Sequence, residues 1–158
     1  MAVSVGQQAP DFELPLAGNQ GKFKPSDFRG KQPVVLLFFP FAYTGVCTKE
    51  MCEVRDNYSK YTGINAKVVG ISVDSPFSLN KFKQDENLPF DLASDFDKDA
   101  ISKYGAKYDE FVGLKGGVAK RSAFVIDKTG KIVYAQVNED PKQLPDFEKV
   151  VAAVQGAQ

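Results

Sequence analysis

Val34-Val35-Leu36-Leu37-Phe38-Phe39-Pro40 is the stretch that decides the fold. Its residues are apolar without alternation, rich in β-branched and aromatic side chains, and closed by a proline. A strand with one wet face alternates apolar and polar residues; a continuous run predicts a strand covered on both faces, at the centre of a sheet. Lys67-Val68-Val69-Gly70-Ile71-Ser72-Val73 reads as a second buried strand and Ser122-Ala123-Phe124-Val125-Ile126-Asp127 as a third. The third turns through Lys128-Thr129-Gly130 into Lys131-Ile132-Val133-Tyr134-Ala135-Gln136-Val137, an antiparallel hairpin with a glycine in its turn. Helical periodicity falls at about 45–61, 76–86, 97–104 and 144–155. The order strand, helix, strand, helices, hairpin, helix predicts an α/β sheet with parallel crossovers and an antiparallel edge pair.

The chain of 158 residues reads as a single domain, residues 1–158, with no internal repeat and no linker that would divide it. Apolar residues at 43% and charged residues at 25% give the profile of a soluble globular protein. Twenty basic side chains balance twenty acidic ones, so no bulk field favours nucleic acid. The longest apolar run, residues 33–42, is far short of the ~20 residues a membrane helix needs. No basic region precedes an apolar stretch near Met1, so no secretory signal is expected and the cytoplasm is the expected compartment. Asn57-Tyr58-Ser59 matches a glycosylation sequon by chance, and the loop Gly113-Leu114-Lys115-Gly116-Gly117 lacks the spacing of a phosphate-binding loop.

Histidine is absent, which removes Ser-His-Asp and Cys-His catalysis and every histidine-ligated metal or haem. Cys47 and Cys52 are the only cysteines, too few for a four-cysteine zinc site or a disulfide scaffold. Cys47, Met51, Val54, Tyr58 and Tyr61 fall on one apolar stripe of the first helix, so Cys47 faces the core from the helix's first turn. Thr44 or Gly45 suits the N-cap. The free backbone N–H groups and positive dipole end at that place favour a thiolate, the nucleophilic form of the thiol. A small buried hydrophobe is the alternative reading of the same position.

The surrounding residues favour the chemical reading. Pro40-Phe41-Ala42-Tyr43-Thr44-Gly45-Val46-Cys47 contains Pro-x-x-x-Thr-x-x-Cys, which resembles the active-site signature of the peroxiredoxins. Val5-Gly6-Gln7-Gln8-Ala9-Pro10-Asp11-Phe12 is similar to that family's opening segment, and Arg121-Ser122-Ala123-Phe124-Val125-Ile126-Asp127 to the strand bearing its active-site arginine. The resemblance spans roughly residues 3 to 155, and three motifs at fitting separations make it specific. Residues 39–47 are nearest the alkyl hydroperoxide reductase E type. Cys47-Thr48-Lys49-Glu50-Met51-Cys52 is similar to the type named for bacterioferritin-comigratory protein, which has a second cysteine at this spacing. The resemblance implies a thioredoxin fold, a mixed central sheet flanked by helices, and a peroxidase acting on hydrogen peroxide or organic hydroperoxides. It also implies reset by thioredoxin, glutaredoxin or a related dithiol protein, with no metal and no organic prosthetic group.

Matched residue by residue, the resemblance makes Cys47 the peroxidatic nucleophile, with Thr44, Pro40 and Arg121 around it. A planar guanidinium can stabilise the charge that builds on the peroxide oxygens, a threonine hydroxyl can turn toward the sulfur, and a proline can wall the pocket without adding a donor. Each also has an ordinary reading: a surface cation, a helix cap and a strand end. Glu50 and Arg55 are candidates for an ion pair near Arg121, but as exposed helix charges they would do little and are left outside the site.

Cys52 is expected to resolve the sulfenic acid. On an intact helix, residues five apart lie roughly 8–9 Å between Cα atoms and about 140° apart around the axis. That is too far for a disulfide, so resolution would require the first turns of the helix to unwind. The alternatives are a one-cysteine mechanism resolved by an external thiol, and a redox-sensing or chaperone-like binding protein using the same cysteine switch. A thioredoxin-like oxidoreductase would carry Cys-x-x-Cys, which is absent. The apolar loop around Pro40 suits a homodimer.

Overall fold

Both faces of the Val34-to-Phe38 segment are buried, and the reason is its alternation in space. Val34, Leu36 and Phe38 enter one hydrophobic cluster; Val35, Leu37 and Phe39 enter another on the opposite side of the sheet. The computed structural model describes residues 3–63 and 65–157, without the side chains of Asn19 and Thr62. Met1, Ala2, Ile64 and Gln158, which the reading of residues 1–158 as one domain and the reading of the N-terminus include, lie outside the described residues.

In chain order the elements are β1 (Leu14–Pro15), β2 (Lys22–Phe23), β3 (Val34–Phe38), α1 (Gly45–Asp56), α2 (Ser59–Thr62), β4 (Lys67–Ser72), α3 (Pro76–Asp85), β5 (Asp91–Ser94), α4 (Asp99–Lys103), β6 (Lys107–Tyr108), β7 (Val118–Ala119), β8 (Ser122–Ile126), β9 (Ile132–Val137) and α5 (Phe147–Gly156). The main sheet has the order β5-β4-β3-β8-β9. β3, β4 and β5 run parallel; β8 and β9 are antiparallel to their neighbours. Residues of α1, α3 and α5 cover one face, and α4 with the N-terminal segment covers the other. This is the α/β, thioredoxin-like arrangement expected, with the hairpin on one side of the central strand.

Several boundaries differ from the periodicity, each for a local reason. The helix expected over 45–61 breaks after Asp56: Asn57 donates its side-chain amide to the Glu53 carbonyl at 2.9 Å, a local bond that competes with helix continuation. The helix expected from 97 starts at Asp99, because Lys98 is left-handed (φ 62°) and the Asp95 carboxylate caps the Ala100 and Ile101 N–H groups. The last helix starts at Phe147, where Asp146 caps the Lys149 N–H. Strand β5 carries Asp91-Leu92-Ala93-Ser94, with no β-branched residue to announce it.

One glycine matters for the site. A Cβ on Gly70 would lie 2.7 Å from Leu92 Cδ2 and 3.2 Å from Met51 Sδ. Its absence lets Met51, one turn beyond Cys47, sit directly on the sheet and fixes how closely α1 approaches. Among the described residues no helix is long and apolar enough to cross a membrane.

Candidate functional site

The register of the sheet brings together residues far apart in sequence. Phe38 at the end of β3 pairs with Ser122 at the start of β8, so residue 121 stands beside the point where the chain leaves β3 for α1. The loop between them is held from the neighbouring strand: Ala42 donates its N–H to Asp74 Oδ2 at 2.8 Å, just beyond β4. Tyr43, in the left-handed region at φ 68°, sets its ring on Phe82 and donates its hydroxyl to Asp85 at 2.8 Å. Thr44 then takes the N-cap position of α1.

Cys47 falls in the first turn of α1 and is completely buried. Arg121 reaches it: Nη2 donates to Cys47 Sγ at 3.1 Å, Nη1 donates to Glu50 Oε1 at 2.7 Å, and Nε donates to the Pro141 carbonyl at 2.9 Å. The guanidinium is 2% exposed and Glu50 0%, so this ion pair is dry. Pro40, Thr44, Cys47 and Arg121 all line one cavity of about 310 Å³, whose far side is formed by Phe111, Val112, Pro141 and Lys142. A larger groove of about 740 Å³ lies between Glu53, Tyr61, Phe147 and Val151. It contains neither cysteine nor Arg121, so volume is a poor guide to the chemistry here.

Four of the five candidates thus meet. Thr44 caps through position alone: its hydroxyl donates to the Phe41 carbonyl at 3.1 Å and makes no side-chain cap bond. Cys52 does not join them. Its Sγ donates to Glu86 Oε2 at 3.2 Å, across the helix from Cys47, and both cysteines are free thiols. Glu50 corrects the expectation of an exposed helix charge. It lies at the third position after Cys47, within the stripe Cys47, Glu50, Met51 and Val54 that faces the core, and that spacing was the available signal. Arg55 points elsewhere, to Asp56 and the Glu86 carbonyl. Among the described residues no group of three or more His, Cys, Asp or Glu could hold a metal ion.

Burial pushes the Glu50 carboxyl up to about 7, against the opposing pull of Arg121. Its second oxygen, Oε2, is buried and has no hydrogen-bond partner among the described residues. Burial works against the Arg121 charge, yet Glu50 and Cys47 hold its pKa above the ordinary value. Because Glu50 keeps its proton in the fold at a pH where the unfolded chain has lost it, its contribution to stability is full below about 4.5 and is lost as pH rises through about 7. Denaturant unfolding at about pH 5 and about pH 8 should therefore show a smaller pH-dependent loss of stability in Glu50→Gln than in the unsubstituted protein; an equal loss contradicts the assignment.

The arrangement places a buried thiol in the first turn of a helix, a buried guanidinium against it, and a small cavity beside both. The AhpC/TSA family model matches residues 5–135. Peroxiredoxin Bcp of Bacillus subtilis is 37% identical over 142 residues, 84% of each chain. Among solved structures, peroxidoxin BcpB from Mycobacterium tuberculosis superposes with a TM-score of 0.84 at 30% identity, covering 98% of this chain and 97% of that one. A peroxiredoxin-like protein from Aquifex aeolicus gives 0.86 at 25% identity, covering 100% and 90%.

Proposed function

This chain belongs to the AhpC/TSA family and is a thiol-dependent peroxidase of the thioredoxin-dependent kind; from that premise we propose that Cys47 is the nucleophile and Cys52 the residue that resolves it. The Cys47 thiolate attacks the terminal oxygen of a hydroperoxide in line with the O–O bond. That bond breaks, the distal oxygen stays on sulfur as a sulfenic acid, and the alkoxide or hydroxide leaves and takes up a proton. Ionisation alone does not make the sulfur fast, because a less basic thiolate is a weaker nucleophile. Rate must come from stabilising the charge that spreads over both peroxide oxygens. The observation that carries this reading is Arg121 Nη2 at 3.1 Å from Cys47 Sγ, a dry donor already aimed at the reacting centre. Glu50 and the Pro141 carbonyl fix the fork from its other two sides. Pro40 limits water at the cavity wall, and Thr44, at the rim, supplies a hydroxyl that can exchange the Phe41 carbonyl for a peroxide oxygen.

Resolution follows when the Cys52 sulfur attacks the Cys47 sulfur, the S–O bond breaks, and water leaves. Both cysteines lie within the unbroken helix α1, so the disulfide requires α1 to unwind. A thioredoxin-type dithiol then returns the disulfide to two thiols. Fresh disulfide should speed amide exchange across residues 44–55 by orders of magnitude at sites whose protection comes from α1. Cys52→Ser should leave Cys47 oxidation intact, remove the intramolecular disulfide and stop turnover with thioredoxin unless another thiol is added. Full turnover with thioredoxin alone would instead favour a one-cysteine cycle. A homodimer through the apolar loop around Pro40 and a cytoplasmic setting belong to the same reading, supported by the exposed side chains of Tyr43, Val112 and Leu114 for the former.

A further inference from the structure

One residue at the end of α3 receives two contacts from the later turns of α1. Glu86 Oε2 accepts the Cys52 thiol at 3.2 Å, and the Glu86 carbonyl accepts Arg55 Nη1 at 2.7 Å. Arg55, one turn beyond Cys52, also lies 3.9 Å from Glu86 Oε2. Glu86 itself is the C-cap of α3, with its N–H bonded to Phe82 and Gln84 carbonyls, so the acceptor is anchored on a neighbouring helix rather than on α1. None of these groups touches Cys47, Arg121 or the cavity between them.

We propose that Glu86 is a positioning residue for the resolving step, holding Cys52 as a thiol against α3 and so delaying the unwinding of α1 that disulfide formation needs. This rests on the reading of Cys52 as the resolving cysteine. The attacking species must be a thiolate, and a thiol that donates to a carboxylate keeps its proton. Burial raises the Cys52 pKa, and the hydrogen bond to Glu86 raises it further. Arg55 opposes these, and the charges of Glu86 and Asp56 add to them; among the described residues these three are the charged groups that act on the thiol. For Cys52 to react, its S–H bond to Glu86 must break and the proton must pass to solvent. The thiolate then attacks the Cys47 sulfur, and hydroxide departs with a proton as water. No outside oxidant or reductant is needed. While the latch holds, the sulfenic acid persists, and a second peroxide can carry it to the sulfinic acid. Glu86 therefore sets how much peroxide the enzyme withstands before that dead end.

The test compares the unsubstituted protein with Glu86→Gln, which keeps the size and an acceptor but removes the charge, and with Glu86→Asp, which withdraws the carboxylate by one methylene. Each reduced protein is mixed with one equivalent of peroxide, quenched with an alkylating agent at intervals, and analysed by mass spectrometry. Disulfide should form roughly fivefold faster in Glu86→Gln, the effect of exchanging a charged hydrogen-bond acceptor for a weaker neutral one. The peroxide concentration giving half-sulfinic Cys47 should rise in step. In a Cys47→Ser background, the pH profile of Cys52 alkylation should move to lower pH in both variants, a shift that a purely structural role would not produce. Disulfide forming at the same rate, or more slowly as for a carboxylate acting as base, with the alkylation profile unmoved, overturns the latch alone. Absence of any Cys47–Cys52 disulfide in the unsubstituted protein overturns the latch and the two-cysteine reading together.

Discussion

Cys47→Ser abolishes peroxide reduction, with a loss on the order of 10⁴-fold or more, as removal of a catalytic nucleophile commonly gives. The reason is electronic as much as acid–base. Breaking the O–O bond needs two electrons, and sulfur supplies them by passing from thiol to sulfenic acid; an alcohol oxygen has no such state to reach. A serine hydroxyl is also un-ionised near neutral pH, and the chain has no histidine to act as its base. The fold should be untouched. The hydroxyl is slightly smaller than the thiol and can accept the same Arg121 Nη2 donor. Steady-state peroxide consumption and thermal unfolding, measured side by side, check both halves. A variant that unfolds as the parent does but retains a substantial rate would remove Cys47 from the mechanism.

Arg121→Met is expected to slow oxidation of Cys47 by roughly 10²–10³-fold, the range seen when a preorganised donor to developing charge is deleted. Methionine roughly fills the volume but offers no donor to peroxide or thiolate. Unlike the serine variant, this one also damages the fold. Arg121 and Glu50 are both dry, and removing one partner strands the other. The cost should be roughly 3 kcal/mol, the low end for a broken buried pair, because Glu50 escapes by holding its proton. The destabilisation should therefore be greater at alkaline pH than at acid pH, the direction set by a carboxyl already raised to about 7. Lysine is not a substitute, since its point charge cannot address Cys47, Glu50 and the Pro141 carbonyl at once. Single-turnover fluorescence or quench kinetics give the rate, and denaturant melts at two pH values give the stability. A melt unchanged at both would mean that the Arg121–Glu50 pair is not the buried unit described.

Much of the architecture was legible because burial leaves a pattern. The run from Val34 to Phe39 announces a central strand because both its faces must be apolar, and Cys47 announces itself because it shares a stripe with Met51 and Val54. Motif resemblance then tied Arg121 to Cys47 across 74 positions, which no local pattern could do; only the pairing of Phe38 with Ser122 brings them side by side. Glu50 was misjudged because a carboxylate on a helix is usually wet; only the structure places it on the buried side of α1 with Cys47, Met51 and Val54. Glu86 was invisible for a different reason. It meets Cys52 through the packing of α3 on α1, a long-range contact that depends on where each helix ends rather than on spacing within either. The break at Asn57 and the short strand at Asp91 escaped for the same class of reason, since a side-chain bond and a pairing partner, not propensity, decide them.

The most direct measurement is to treat Cys52→Ser protein with one equivalent of hydroperoxide in the presence of a sulfenic acid trap such as a cyclic diketone, then locate the adduct by peptide mass spectrometry. A Cys47 thiolate facing Arg121 requires a near-stoichiometric adduct on Cys47 and, in a parallel series where the peroxide is removed at short intervals before the trap is added, an adduct yield that rises roughly 10²–10³-fold more slowly once Arg121→Met is added to the same protein. An unlabelled Cys47, or labelling whose speed does not depend on Arg121, would contradict the mechanism at its centre.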